Sequence, residues 1–317
     1  MAKEYQEKAL AIRIEIGDRK EEAASYGNLG TIFISLGDQV KAQEYLQKAV
    51  SLRIEIGDRE GEATDYGNLG TMFQFLGEYD KAKECMERAL AIKIKISDRA
   101  GQGIDYGNLA TVYTSLGDYV KAREYLQKAL AIRIEIGDRK GEASDYGNLG
   151  TVFHSLGEYV KAQRYLNKAL AIKTDIGDRR GEASDYENLG TVFNSLGDYA
   201  KAKEYFQKAL AITIEIGDRS GEATSYGNLG TLFNSLADNF KAEQCFEKSI
   251  AISVEIGDRG KEATFYGNLG ATLNLIGENF KAKEYIQKAI AMKLEIGDRS
   301  GVAASYGNLA EIGRAHV

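Results

Sequence analysis

A block of forty residues recurs along this chain without a change of frame, and this repeat constrains the fold more than any other feature. One copy, residues 138–177, reads DRKGEASDYGNLGTVFHSLGEYVKAQRYLNKALAIKTDIG, and close variants run from residue 18 to residue 297. A fixed period of 20–50 residues is typical of proteins built by stacking small structural units. The 317 residues are therefore interpreted as one array, although the length alone would favour two domains.

Each block carries two apolar stripes with helical spacing. In the copy quoted above, Tyr146, Leu149 and Phe153 fall at i, i+3 and i+7, which places them on one face of a helix. A second stripe with the same spacing begins at Ala162 and Leu166. Neither stripe can be buried by its own helix, so the block predicts a hairpin of two helices that is covered by neighbouring hairpins.

Glycine and aspartate mark the ends of the two helices. Gly157 separates the stripes and Gly177 follows the second one, and glycine suits the left-handed residue that ends a helix. Asp178 comes next and can accept hydrogen bonds from the free N–H groups of the following helix. These signals predict helices over roughly 138–156 and 158–176.

The pattern resembles the tetratricopeptide repeat, in which an aromatic residue, Leu-Gly, a second aromatic residue, Gly and two Ala recur at set positions. The match covers nearly the whole array. The resemblance implies an all-α fold, a right-handed superhelical solenoid of stacked two-helix hairpins. In the quoted copy the matching residues are Tyr146, Leu149, Gly150, Phe153, Gly157, Ala162, Tyr165 or Leu166, and Ala169.

The chain departs from that pattern in two ways. Tyrosine stands where the family usually has tryptophan, and the proline that usually follows the second helix is absent, since the chain contains no proline. Without that helix breaker the unit reaches forty residues instead of about thirty-four. The long form is similar to the repeats of the Pins/LGN class of spindle-orientation adaptors. It is also similar to arrays attached to signalling or protease modules.

The repeat frame predicts four segments. Residues 1–17 are a second helix without its first, residues 18–297 are seven complete units, and residues 298–311 are the first helix of another unit. The segment 312–317 leaves the repeat and resembles a translated sequencing adapter, so we expect a non-native tail. Neither end carries a polar capping helix, so we expect a fragment of a longer protein that associates end to end.

Composition restricts the classes of partner. The net charge of −6 is spread evenly, so no basic patch is available for nucleic acid or an anionic membrane. No apolar run reaches the length of a membrane span. The two cysteines, Cys85 and Cys245, lie 160 residues apart, which indicates a reducing and therefore cytoplasmic location.

The sequence offers no catalytic constellation and no cofactor or metal site. His154 is the only histidine inside the array, so neither a Ser-His-Asp set nor a histidine metal cluster can form. The Gly-Asn-Leu-Gly elements lack the spacing of a phosphate-binding loop. Arg139, at the start of a first helix, is expected to form an ion pair within its hairpin. We therefore predict that the protein is not an enzyme.

An asparagine recurs on the first helix of every unit, opposite the apolar stripe. An amide both donates and accepts hydrogen bonds, as a peptide backbone does, and the family resemblance implies that asparagine here holds an extended peptide. The alternative is that the copies are recent duplicates in which any residue would recur. The predicted peptide-binding residues are Asn28, Asn68, Asn108, Asn148, Asn188, Asn228, Asn268 and Asn308, with Thr111, Thr151 and Thr191 on the same face.

Residues that differ between units on this face are expected to set specificity. Lys140 and Arg180 make the centre basic, and His154, Asn194 and Asn234 occupy one variable position in successive units. Glycine is expected to face the same groove and to let a ligand backbone come close, as at Gly147. Glu187, which replaces it in one unit, would add a negative charge.

Two functions remain open at this point. The first is a scaffold whose concave groove binds an extended segment of a partner protein. The second is a structural or self-associating array whose activity resides in other domains, such as a signalling nucleotide hydrolase or a protease module.

Overall fold

The chain forms helices throughout the part that the structure describes. The structure is a computed structural model that describes the backbone of residues 2–314 and the side chains of residues 3–310. Within residues 2–314 it contains sixteen α-helices and no β-strand. By its internal contacts the chain divides into two compact units, residues 1–156 and residues 157–317.

Each unit contains eight helices of 15–18 residues. The even-numbered helices are the first helices of the hairpins, and the odd-numbered helices are the second helices. The first compact unit contains α1 (Ala2–Ile16), α2 (Arg19–Ser35), α3 (Gln39–Ile56), α4 (Arg59–Phe75), α5 (Tyr79–Lys95), α6 (Arg99–Ser115), α7 (Tyr119–Ile136) and α8 (Arg139–Ser155). The second contains α9 (Tyr159–Asp175), α10 (Arg179–Ser195), α11 (Tyr199–Glu215), α12 (Arg219–Ser235), α13 (Asn239–Glu255), α14 (Arg259–Leu275), α15 (Asn279–Glu295) and α16 (Arg299–Arg314).

The predicted helix ends are confirmed. Gly157 and Gly177 have φ angles of 74° and 71°, in the left-handed region that glycine adopts without a steric penalty. Asp58 caps α4, because its side chain accepts a hydrogen bond from the backbone N–H of Gly61 at 3.1 Å. The local sequence therefore predicts these helix ends correctly.

The two helices of a hairpin pack closely because small residues face large ones. In the hairpin of α2 and α3, Leu46 is fully buried, and a Cβ added to Gly30 would lie 2.5 Å from its Cγ atom. Ala42 and Ala49 flank Leu46 on α3 and are also fully buried. Glycine on the first helix thus brings the two backbones together.

Arginine at the start of a first helix forms an ion pair with the second helix of the same hairpin. Arg99 Nε donates to Glu135 at 3.2 Å, and Arg259 donates to Glu295 at 2.9 Å; each pair joins a first helix to the end of its own second helix. Arg139 donates to Glu142 on its own helix at 2.9 Å. The ion pair predicted within the hairpin is therefore present at equivalent positions, where solvent exposure makes it weak.

Hairpins pack consecutively within each compact unit. Where both helices lie in one compact unit, each first helix contacts the second helix of its own hairpin and the second helix before it. Neighbouring first helices also touch, as α2 does α4 and α10 does α12. The predicted all-α array of stacked hairpins is confirmed in each unit. The backbone of 312–314 continues α16, and the rest of the predicted tail lies outside the described residues.

No helix in the described part of the chain combines the length and the apolar character that crossing a bilayer requires.

Candidate functional site

The recurring asparagines lie on the face of the first helices that is opposite the apolar stripe. Their side chains are exposed or half-buried in both compact units. Within residues 3–310, none of these eight side-chain amides makes a hydrogen bond to the protein. Asn68 and Asn108, on α4 and α6, line the same open cleft of about 420 Å³. Their unused donors and acceptors are therefore available to a ligand.

The cleft between α4 and α6 combines an apolar wall with acidic groups. Ile104 is 46% exposed and lines the cleft beside Asn108, and Thr71 lies on the α4 side. Glu60, Asp98 and Asp105 also line it, with Lys93 as the basic residue. The surface of this cleft therefore carries more negative than positive charge.

Buried pairs of a basic residue and an aspartate connect several second helices to the next first helix, and they were not predicted from the sequence. Lys93 Nζ lies 2.8 Å from Asp105 Oδ1, and the Asp105 side chain is only 2% exposed. Arg53 Nε lies 2.7 Å from Asp65 in the hairpin before it, in the same arrangement. Each pair joins a second helix to the next first helix and spans twelve residues. In some copies both the basic residue and the aspartate are replaced. This paired replacement was the signal in the sequence that the two residues are in contact.

That paired replacement occurs in the second compact unit. Lys173 and Asp185 form the pair at 2.8 Å, but the next copy has Thr213 and Ser225 in their places. The copy after that has serine and phenylalanine at the two positions. An aspartate left without its basic partner in this buried position would be costly, and the aspartate accordingly occurs only in copies that also have the arginine or lysine. The base can remain without the aspartate, as Lys293 does opposite Ser305.

Burial has a larger effect on the pKa of these aspartates than their basic partners have. Burial raises the pKa of Asp65 and Asp185 to about 6, although Arg53 and Lys173 oppose the shift. The pKa of Asp145 rises to about 7 for the same reason, and its partner Arg133 lies farther away, at 3.9 Å. These carboxyl groups lie where one hairpin packs on the next, and burial brings their pKa values close to neutral.

A sequence profile of the tetratricopeptide repeat matches residues 1–55, 41–95, 104–175 and 182–253. These segments cover well over half of the chain. The chain belongs to the tetratricopeptide repeat family. No curated protein sequence matches it.

Solved structures of other proteins share the fold. RapI in its apo form superimposes with a TM-score of 0.72 at 19% identity, covering 87% of this chain and 99% of RapI. A Rap protein complexed with competence and sporulation factor gives 0.61 at 16% identity, covering 93% and 98%. A signal transduction ATPase with a tetratricopeptide repeat sensor, from Pyrococcus horikoshii, gives 0.64 at 18% identity, covering 99% of this chain and 50% of that one.

The glycines equivalent to Gly147 were expected to leave space for a ligand backbone, and only some of them do. A Cβ on Gly27 would lie 2.7 Å from Asp65 Oδ1, and one on Gly227 would lie 2.2 Å from the ring of Phe265. Gly147 is buried. Only at some positions, such as Gly67 in the cleft, is the space beside glycine open. The expectation of open space for a ligand backbone is therefore wrong at Gly27 and Gly227, because the next first helix occupies that space.

Glu187 is bonded within the protein. Its Oε1 accepts a hydrogen bond from the Ser225 hydroxyl at 2.6 Å, and burial raises the pKa of its carboxyl group. Ser225 is the residue that replaces the buried aspartate, so the Glu187 carboxyl stands close to where that aspartate would be. The negative charge expected in the groove is instead engaged in the contact between α10 and α12.

The predicted basic residues are both exposed. Arg180 Nε lies 3.0 Å from Asp218, so its charge is partly balanced by the next first helix. Lys140 lies in the first turn of α8 with its side chain exposed. Arg180 lines a second cleft together with Glu187, Asp218 and Lys261, where the two signs of charge balance.

The predicted threonines use their hydroxyl protons within their own helices. Thr111 donates to the Gly107 carbonyl at 3.2 Å, and Thr191 donates to the Glu187 carbonyl at 3.0 Å. Thr151 donates in the same way to the carbonyl of Asn148, at 2.8 Å. Each hydroxyl oxygen can therefore act towards a ligand mainly as an acceptor.

The variable position differs in its bonding from copy to copy. His154 is half-buried, and burial lowers its pKa, which favours the neutral ring. Asn234 donates to the Thr272 hydroxyl of the next first helix at 2.9 Å, so its amide nitrogen is engaged within the protein. The side-chain oxygens of Asn194 and Asn234 are buried without a hydrogen-bond partner among the described residues.

Proposed function

We propose that this tetratricopeptide repeat chain is a non-enzymatic scaffold that binds an extended segment of a partner protein along its first-helix face. The observation that carries the proposal is that Asn68 and Asn108, one repeat apart, line the same open cleft with unused amides. An amide can bond both the N–H and the C=O of an extended backbone, so two of them at one repeat spacing suit a peptide.

Solved structures with a similar fold support the proposal. A Rap protein with a similar fold has been solved in complex with competence and sporulation factor. The finer resemblance to the Pins/LGN adaptors belongs to this proposal as well, and it implies that the partner segment is extended along the array.

Specificity is assigned to the side chains that vary between copies. Near α4 and α6, the negative charge of Glu60 and Asp98 favours a segment that brings hydrogen-bond donors or basic side chains. Lys140 is exposed and is proposed to contact an acidic residue of the segment. Arg180, Thr111, Thr151, Thr191, His154, Asn194 and Asn234 are proposed to contact side chains of the segment.

The test begins with a ligand peptide selected against the protein from a displayed random library. The variant Asn68→Ala/Asn108→Ala removes both amides from the cleft. If each contributes about 0.5–1.5 kcal/mol to the complex, affinity falls by roughly fivefold to 150-fold. The melting temperature stays the same or rises slightly, because no buried partner is left unpaired and alanine is the better helix former.

A matched control removes an asparagine from a second helix. Asn167 is exposed on the second helix α9, and Asn167→Ala is expected to leave peptide affinity unchanged. Equal affinities for the wild-type protein and the double variant would exclude the proposed role of the amides. A large fall in melting temperature would instead assign the two asparagines to stability.

A further inference from the structure

The second helices carry a repeated stack of aromatic rings. Tyr125 on α7 lies between two rings of α6, with ring centroids 5.9 Å from Tyr106 and 5.2 Å from Tyr113. Tyr205 on α11 repeats the arrangement, at 5.9 Å and 5.4 Å from the rings of α10. Offset and tilted pairs at these distances stabilise aromatic packing. The tyrosine of the second helix therefore has a defined place in the repeat.

Cys85 interrupts this stack in the hairpin of α4 and α5. It occupies the position of Tyr125, and the rings on either side of that position, Tyr66 and Phe73, are retained on α4. The thiol is far smaller than a phenol ring. Burial raises the pKa of the Cys85 thiol, so the group is uncharged and weakly polar at neutral pH.

A cleft of about 580 Å³ opens at this position. Tyr66, Phe73 and Cys85 line it, together with the apolar side chains of Val50 and Leu69. An apolar cavity of ~150 Å³ is enough to hold a benzene molecule in a protein, so the space suffices for one ring. The cleft lies between the second helices α3 and α5, whereas the asparagine cleft lies between first helices.

Cations beside the cleft complement the face of an aromatic ring. The Arg88 guanidinium lies 5.6 Å from the centroid of Tyr66, and the Lys81 ammonium lies 5.3 Å from that of Phe73. In an intact stack, Lys128 lies over both Tyr106, at 5.7 Å, and the second-helix tyrosine, at 5.2 Å. Arg88, at the position of Lys128, also donates hydrogen bonds to the Tyr66 hydroxyl at 3.3 Å and to Glu84 at 2.7 Å. A ring entering the cleft would therefore meet a cation at the same position as in an intact stack.

We propose that this cleft is a second binding site, one that takes a tyrosine side chain presented by a partner protein. The incoming ring completes the interrupted stack by lying between Tyr66 and Phe73, as Tyr125 lies between Tyr106 and Tyr113. The intact copies show both the ring that fits and the groups that surround it. The site is independent of the asparagine face and of the function proposed for it.

The first experiment uses p-cresol, the side chain of tyrosine as a free molecule. In protein labelled with ¹³C at valine and leucine methyl groups, p-cresol is expected to shift the NMR signals of Val50 and Leu69, with a Kd on the order of 1 mM. The variant Cys85→Tyr fills the cleft with the residue found in other copies, so the fold accommodates it. Binding at Val50 and Leu69 should weaken at least tenfold in this variant.

Two variants control for the loss of cysteine. Cys245→Tyr makes the same replacement in another copy and should leave the p-cresol shifts at Val50 and Leu69 unchanged. Cys85→Ala keeps the cleft open and should also retain them. The absence of shifts in the wild-type protein, or equal shifts in Cys85→Tyr, would overturn the proposal.

A second experiment separates a protein partner from a small aromatic compound. A capped Gly-Tyr-Gly peptide should produce the same shifts as p-cresol, and a capped Gly-Leu-Gly peptide should not. Binding of p-cresol with exclusion of the tyrosine peptide would mean a small-molecule site and would overturn the assignment to a partner protein. Concentration-dependent dimers that Cys85→Tyr abolishes would identify a second copy as the occupant and would overturn it as well.

Discussion

The Nζ atom of Lys173 lies 2.8 Å from Oδ1 of Asp185, and the two side chains are only 10% and 1% exposed. The pair joins the second helix α9 to the next first helix, α10. Burying an ion pair costs desolvation free energy for both groups, and their mutual attraction offsets that cost. Removing one partner leaves the other charge buried without compensation, which lowers the stability of the fold. The copy with Thr213 and Ser225 shows that the array also accepts an uncharged pair at the same place.

We therefore expect Lys173→Thr alone to lower the free energy of unfolding by about 3–5 kcal/mol, because it leaves the Asp185 carboxyl buried without its partner. The double variant Lys173→Thr/Asp185→Ser copies the uncharged pair and should recover most of that loss. Urea unfolding followed by circular dichroism measures both. A single and a double variant of equal stability would show that the two residues are not coupled.

We expect the raised pKa of Asp145 to make the free energy of unfolding depend on pH. Its folded-state pKa of about 7 lies above the ordinary value of 3.8, so the folded protein binds a proton that the unfolded chain releases between these values. The stabilisation from this group is therefore complete below about pH 4 and is lost as the pH rises towards 7. In Asp145→Asn the position cannot ionise.

The measurement is the difference in unfolding free energy between wild type and Asp145→Asn across pH 4 to 8. We expect the wild type to lose stability relative to Asp145→Asn as the pH rises to about 7. Above that pH the difference should stay constant. A difference that grows in favour of the wild type over this interval would mean that Arg133, and not burial, controls the carboxyl group.

Alanine should act in opposite directions at two equivalent glycines. A Cβ at Gly67 has no heavy atom within 4 Å, so Gly67→Ala gains the helix propensity of alanine, up to ~1 kcal/mol. At Gly227 the Cβ would lie 2.2 Å from the ring of Phe265, so Gly227→Ala lowers stability. Thermal melts of the two variants test this contrast. Stabilisation by both would mean that Phe265 moves aside at little cost.

Two loops hold a residue other than glycine in the left-handed conformation. Ala237 has a φ of 56° and Ser97 a φ of 58°, at positions where other copies have glycine. The Cβ of an L-residue costs ~1–2 kcal/mol in this conformation. Ala237→Gly and Ser97→Gly should each raise the free energy of unfolding by up to about 1 kcal/mol. The reverse change at an equivalent loop, Gly197→Ala, serves as the control and should lower it, since Gly197 has a φ of 76°.

Much of the fold could be predicted from local signals. The period of the apolar residues determines each helix, and Gly157 and Gly177 end two of them as expected, because φ and the apolar face depend on neighbouring residues in the chain. The placement of Asn68 and Asn108 opposite the apolar stripe follows from helical phase in the same way. A single helix, however, does not determine which residues of two helices meet.

The sequence by itself determined the helices, the hairpins and the face that carries the asparagines. Only the tertiary structure decided that Asp105 meets Lys93 across a turn, that Gly27 is closed off by Asp65 while Gly67 is open, and that a cleft opens beside Cys85. The physical reason is that these contacts depend on how adjacent helices cross and on the volume of each facing side chain. Helical phase gives the direction of a side chain, and packing decides what it touches.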